Sequence, residues 1–240
     1  MSATAKGFDT GEVKWPLSLV LRSVVLAAAV GCATHLLVET AQRSSWNKER
    51  LYRKLLSGST EQQLRAASGL VYARGEKQLL AALKCENPSV RDTARRALEY
   101  AWFVAEGDKA FDAMQSAAKA YDREEYEDAL KLLNQIIARY PRYAEGWNRR
   151  ACVYWKLGRY AESIADCERT LSLNPNHFGA WQGLGVCKLH LGDVEEAVKC
   201  LRAVLRITPH DATIQSALRR CEDLLRNAAP EKNGKRLEMA

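Results

Sequence analysis

The sequence predicts an all-α fold: a solenoid of three helix–turn–helix units with a capping helix, preceded by a helical spacer and an N-terminal transmembrane helix. Three observations predict it. Pro141, Pro175 and Pro209 stand 34 residues apart, and Trp147/Trp181, Gly158/Gly192 and Ala129/Ser163/Ala197 repeat in the same step. A fixed period of this size marks repeats that bury their apolar faces only by stacking on one another. Residues 46 to 107 read as shorter helices joined by tight turns, and Leu17 to Val38 form a long apolar run.

Residues 1–15 are short, polar and mixed in charge. In the segment 16–38, the run from Leu17 to Val38 is interrupted only by Arg22, His35 and small polar residues. At about 1.5 Å per residue it reaches roughly 33 Å, enough to cross a bilayer core. Trp15 and Trp46 flank it, where interfacial aromatics are favoured. Arg22 lies near the N-terminal end, from which its side chain can snorkel to the headgroups. A cleaved targeting peptide and a buried soluble helix are the competing readings, but the apolar run continues through Leu36, Leu37 and Val38, past any small-residue cleavage site near Ala27–Ala33. Arg43, Lys48, Arg50, Arg53 and Lys54 follow the run, against Lys6 and Lys14 before it. That bias puts the repeats on the cytosolic, matrix or stromal side. Ser23, Ala27 and Gly31 form a small-residue stripe of the kind that supports a weak homodimer.

The basic linker and spacer occupy 39–107. Leu79, Leu80 and Leu83 close one apolar stripe, Glu86-Asn87-Pro88 breaks it, and Ser89 can cap a helix with Val90, Ala94, Ala97, Leu98 and Ala101 on one face. This run resembles a single HEAT repeat, and a plain helical spacer that caps the solenoid fits as well. The repeats fall at 110–143, 144–177 and 178–211. A helix at 212–227 with Ile214, Ala217, Leu218, Cys221, Leu224 and Leu225 in one stripe closes the stack. Residues 228–240 are hydrophilic and read as a disordered tail.

The third unit, Trp181-x2-Leu184-Gly185 continuing to Ala197-x3-Leu201 and Pro209, resembles the tetratricopeptide (TPR) pattern. The resemblance implies a concave groove lined by the first helix of each unit, and a role in binding peptide segments of protein partners. By that resemblance the groove-facing side chains are Phe111, Met114, Gln115, Ala118 and Tyr121, then Glu145, Asn148, Arg149, Cys152 and Trp155, then Gly179, Gln182, Gly183, Val186 and Leu189. Phe111, Met114, Tyr121, Asn148, Arg149, Trp155, Gln182 and Leu189 are the candidate peptide contacts. Co-chaperone members of the family grip acidic chaperone tails with a clamp of Lys and Asn, Asn, then Lys and Arg. This chain has Met114, Ala118, Arg149, Gly179 and Gly183 at those places. The comparison argues against heat-shock chaperone tails as partners.

Composition narrows the classes further. The 240 residues are 47% apolar and 27% charged, ordinary for a folded protein. The net charge of +7 is interleaved with Glu along helices and gives no nucleic-acid stripe. The 7 cysteines show no Cys-x2-Cys pair, and Cys187 with His190 lacks a second pair, so neither a disulfide framework nor a metal is expected. Buried free thiols fit a reducing compartment. Gly183-Leu184-Gly185 lacks the third glycine of a dinucleotide site, no Walker motif is present, and His177 and His210 read as a repeat feature, one period apart at the turns. No catalysis and no cofactor are expected. The reading is a membrane-anchored adaptor, or alternatively a structural subunit or assembly factor of an organellar membrane complex.

Overall fold

The computed structural model describes residues 32, 34–36 and 38–228, and every regular element in that range is helical. The expected N-terminus, most of the segment 16–38 and the tail from 229 lie outside the described residues. Among the described residues no helix is long and apolar enough to cross a membrane.

Four helices form the spacer: α1 (Ser45–Ser57), α2 (Thr60–Tyr72), α3 (Glu76–Ala82) and α4 (Pro88–Phe103). Ser44 caps α1 by accepting from the Asn47 N–H, and Ser59 with Gln62 closes a capping box on α2. At the Asn-Pro turn the cap falls on Asn87, whose Oδ1 accepts from the Ser89 N–H at 2.9 Å, and not on Ser89. Proline lacks an N–H and has a helical φ, so the first helical position suits Pro88 and moves the cap one place upstream of it. Ser89 is thereby free to donate to Gln63 Oε1, tying α4 to α2 at 2.9 Å. Leu55, Leu70, Leu79, Val90, Ala94 and Leu98 are fully enclosed between these helices. Each buried Leu or Val stabilises the unit by about 1.5–3 kcal/mol.

The repeats pair α5 (Asp108–Asp122) with α6 (Tyr126–Arg139), α7 (Ala144–Lys156) with α8 (Tyr160–Leu173), and α9 (Phe178–His190) with α10 (Val194–Ile207); α11 (Ala212–Ala228) ends the stack. Gly158 and Gly192 end α7 and α9 with φ of +72° and +79°, the left-handed region that glycine enters without a Cβ clash. In the first repeat the equivalent residue is Glu124, at φ +62°. Ala129, Ser163 and Ala197 are buried where the paired helices meet. Ser163 satisfies its hydroxyl by donating to the Ala151 carbonyl at 2.8 Å.

The prolines and tryptophans that repeat in register act as one device. The Trp147 indole N–H donates to the Pro141 carbonyl at 3.1 Å, and Trp181 does the same to Pro175 at 3.0 Å. Gln215 Nε2 takes that role on the Pro209 carbonyl at 2.7 Å. Helix α11 is thus bracketed to its turn as the first helix of a fourth unit would be.

A second periodic row sits just before each of these helices: Tyr143, His177 and Asp211 are one period apart. Counting 34 from His177 leads to Asp211, so His210 is not its repeat equivalent. All three members of the row meet α4. Tyr143 Oη donates to the Phe103 carbonyl, the His177 ring stacks on Trp102 at 4.5 Å between centroids, and Asp211 pairs with Arg95 at 2.9 Å. Phe178 adds contacts to Trp102 at 5.2 Å and to the Arg95 guanidinium at 5.0 Å. The spacer therefore does not stand off from the solenoid. Its last helix lies across the repeats, because its outward face carries the aromatic and cationic groups that complement the row.

Candidate functional site

The concave face is lined by α5, α7 and α9. Helix α4 covers the N-terminal ends of α7 and α9, and beyond it two adjoining hollows remain. The first, about 130 Å³, lies between α5 and α7 and is walled by Met114, Ala118, Tyr121, Leu133, Arg149 and Val153. The second, about 310 Å³, lies between α7 and α9 and is walled by Asn148, Trp155, Cys167, Gly179, Gln182 and Val186. Cys152 borders both. Gly183 leaves the second hollow open: a Cβ there would stand 3.2 Å from Cys167 Sγ.

The expected contact residues distribute unevenly over this surface. Tyr121 and Arg149 line the first hollow, and Asn148, Trp155 and Gln182 line the second. Met114 is fully buried and forms part of the first hollow's floor. Phe111 meets Phe103 edge-on at 5.5 Å, so the end of α4 lies against it. Leu189 packs into the apolar core and lines neither hollow. Trp155 keeps its indole N–H buried with no hydrogen-bond partner among the described residues.

One buried polar cluster organises the groove. Glu145, 5% exposed at its side chain, accepts from His177 Nε2 at 2.9 Å and from Arg149 Nε. The Ala180 backbone N–H donates to His177 Nδ1 at 3.1 Å, so Nδ1 carries no proton and the ring's single N–H is on Nε2. His177 is therefore a neutral donor to Glu145 and a side-chain cap for α9. Burial pushes the Glu145 carboxyl up, but the His177 hydrogen bond and the Arg149 charge outweigh it and hold it below 4.5. Arg149 shows the mirror image: burial acts against its charge, and Glu145 more than restores it. The Arg149 guanidinium also faces the Phe103 ring at 5.6 Å. Its Nη groups, in contrast to Nε, have no hydrogen-bond partner among the described residues.

A separate ion pair fixes the two repeats behind this surface. Arg150 grips Asp166 through Nε and Nη2 at 2.7 and 2.8 Å and reaches Asn134 at 2.7 Å. This bidentate geometry holds α6, α7 and α8 in one register. The thiols at the groove are unactivated: burial pushes Cys152, Cys167 and Cys187 up, which keeps them protonated at neutral pH. Among the described residues no group of His, Cys, Asp and Glu is placed to hold a metal ion. The chemistry on offer is apolar enclosure with a few fixed donors.

Sequence reading missed α4's part in this surface, namely Trp102, Phe103 and the row Tyr143, His177 and Asp211. The 34-residue spacing of that row was the available signal, but its three side chains differ in kind and do not stand out as a repeat.

Two tetratricopeptide repeat models match the chain, one over residues 117–176 and the other over 154–221. A TPR repeat-containing protein of Rhizobium etli is 38% identical over 102 residues, covering 42% of this chain and 50% of that protein. The Hsp70-Hsp90 organizing protein of Triticum aestivum is 25% identical over 119 residues, covering 50% of this chain and 20% of that protein. The chain thus spans half or less of these relatives. Among solved structures, the first TPR of Spaghetti (RPAP3) bound to HSP90 peptide SRMEEVD aligns with 49% of this chain and 94% of its own, at 24% identity and a TM-score of 0.48. The expectation that heat-shock chaperone tails are poor partners is overturned by the similarity to Hsp70-Hsp90 organizing proteins, of Glycine max as well as Triticum aestivum. Physically, that expectation weighed five side chains of one clamp pattern. It counted Arg149 only as a mismatch to the Asn of that pattern, whereas the side chain is a cation held at Nε by Glu145 with its Nη donors at the first hollow.

Proposed function

The chain belongs to the tetratricopeptide repeat family through residues 117–221, and on that premise we propose that it is a non-catalytic adaptor that binds an extended peptide segment of a partner protein in its concave groove. The observation that carries this reading is the pair of adjoining hollows, largely apolar and aromatic in their walls, with Arg149 lining the first and its Nη groups uncommitted. Apolar side chains of the ligand would fill the hollows, and a ligand carboxylate or carbonyl would accept from Arg149. The relatives that are Hsp70-Hsp90 organizing proteins make an acidic chaperone tail the first ligand to test.

The test is calorimetric titration of the full chain with SRMEEVD, the same peptide with an amidated C-terminus, and a scrambled control. Saturable binding of the free acid, weakened about tenfold or more by Arg149→Ala and by Trp155→Ala, is the expected result. Binding that is absent, or equal for the scrambled peptide, refutes the reading.

The apolar run at 16–38 and the basic residues after it support a membrane tether with the repeats on the positive side. Carbonate extraction of the expressed chain tests this part separately, and release of the intact protein into the soluble fraction counts against it.

A further inference from the structure

Helix α4 is joined to the groove by an unbroken set of contacts. The Trp102 ring, 8% exposed, stacks on His177 at 4.5 Å with 24° between the planes. The opposite end of Trp102 is fixed too, since its Nε1 donates to Glu76 Oε1 of α3 at 3.0 Å. His177, 3% exposed, then has one free degree of motion removed by Trp102 and another by the Ala180 N–H on Nδ1. Its Nε2–H is thereby aimed at Glu145 Oε2, 2.9 Å away. Glu145 in turn presents Oε1 to Arg149 Nε, and Phe103 of α4 backs the guanidinium at 5.6 Å. Every link is buried except the last, where Arg149 reaches the first hollow with 45% of its side chain exposed. A long cationic side chain at that exposure would ordinarily sample many rotamers and lose that freedom on binding. Held at Nε and stacked on one face, it is pre-ordered.

We infer that Trp102 is a positioning residue for the groove: through His177 and Glu145 it fixes Arg149 for the ligand, so that α4 is part of the binding site. This rests on the peptide-binding reading for its consequence, but not for its geometry. It follows that ligand affinity depends on a helix lying outside the repeats, and that an isolated repeat fragment lacking α4 would bind more weakly than the full chain.

The experiment uses the full chain and its Trp102→Ala, Trp102→Leu, Trp102→Phe and Arg95→Ala variants. The first readout is solvent exchange of the Arg149 Nε–H by nitrogen-15 NMR, with the resonance assigned by its loss in Arg149→Lys. Trp102→Ala should speed that exchange about tenfold or more, and Trp102→Phe, which keeps a stacking ring, should restore it. Trp102→Leu gives the same comparison if the alanine variant does not fold. Arg95→Ala breaks a different contact of the same helix and should leave the exchange at the parent rate. The second readout is SRMEEVD affinity in a double-mutant cycle, where Trp102→Ala should add little once Arg149→Ala is present. Unchanged Arg149 exchange in the Trp102 variants, full additivity in the cycle, or an equal effect from Arg95→Ala each overturns the assignment. If the parent does not bind the peptide, the peptide reading falls, and Nε–H exchange alone decides the positioning role.

Discussion

Glu145→Gln tests the buried cluster most directly. The amide keeps the size of the carboxylate and one acceptor for His177 Nε2, but it removes the charge and turns a donor toward Arg149 Nε. What is lost is a charge-assisted hydrogen bond in a site where Glu145 is 5% exposed. Hydrogen bonds to charged groups contribute about 1.5–3 kcal/mol. Because Arg149 is 45% exposed and can turn to water, the low end applies, about 2 kcal/mol. For a chain of this size that corresponds to a fall in Tm of roughly 4–8 °C. The pH dependence has a definite sign. Glu145 is held below its ordinary value of 4.5 in the folded state, so its contribution is fully present above that value and is lost as pH falls below it. The gap between parent and variant should therefore be widest near pH 7 and shrink below about pH 4.5. Scanning calorimetry of both proteins at pH 7 and at mildly acidic pH measures it. Equal Tm values at pH 7, or a gap that persists unchanged in acid, would mean that the Glu145 charge does not stabilise the fold.

Other substitutions probe the remaining elements. Glu124→Gly should raise stability by about 0.5–1 kcal/mol in denaturant titration, because Glu124 occupies at φ +62° the place that glycine fills in the next two repeats. Asp166→Ala should cost about 3 kcal/mol, since it strands the Arg150 fork that also contacts Asn134, and unfolding midpoints should show it. Trp181→Phe keeps the ring but deletes the N–H to Pro175, for an expected loss of about 1 kcal/mol. Cys200, whose thiol burial pushes up to about 11, should resist alkylation at pH 8 in the native chain and react once the chain is denatured.

The solenoid was legible because its signals are local and repeated. Gly158, Gly192 and the Pro–Trp spacing each encode one turn geometry, and stacking multiplies them. The groove was partly legible for the same reason, since a position on one first helix predicts its equivalents on the others. Leu189 shows the limit: at the place equivalent to Trp155 it is half-buried against the apolar core and lines neither hollow. The docking of α4 was not legible, because Arg95 and Asp211 lie 116 residues apart and their pairing depends on how the two helical units meet. Nor does a sequence show that Trp102 stacks on a histidine whose proton location is set by a backbone amide.

The crossing of α4 over Tyr143, His177 and Asp211 changes how the stack should respond to force and heat. Arrays of this type normally behave as a chain of linked springs, each unit coupled only to its neighbours, so they stretch easily and fray from their ends. A helix of 16 residues, about 24 Å long, fastened at three successive units works as a splint. It adds coupling between units that do not touch. The second repeat, the third and the cap should then yield together, and the curvature of the groove should be set as in a strung bow rather than a loose coil. Removing two of the three fastenings together, in Trp102→Ala combined with Arg95→Ala, would free the spring, and melting should spread over a wider range of temperature.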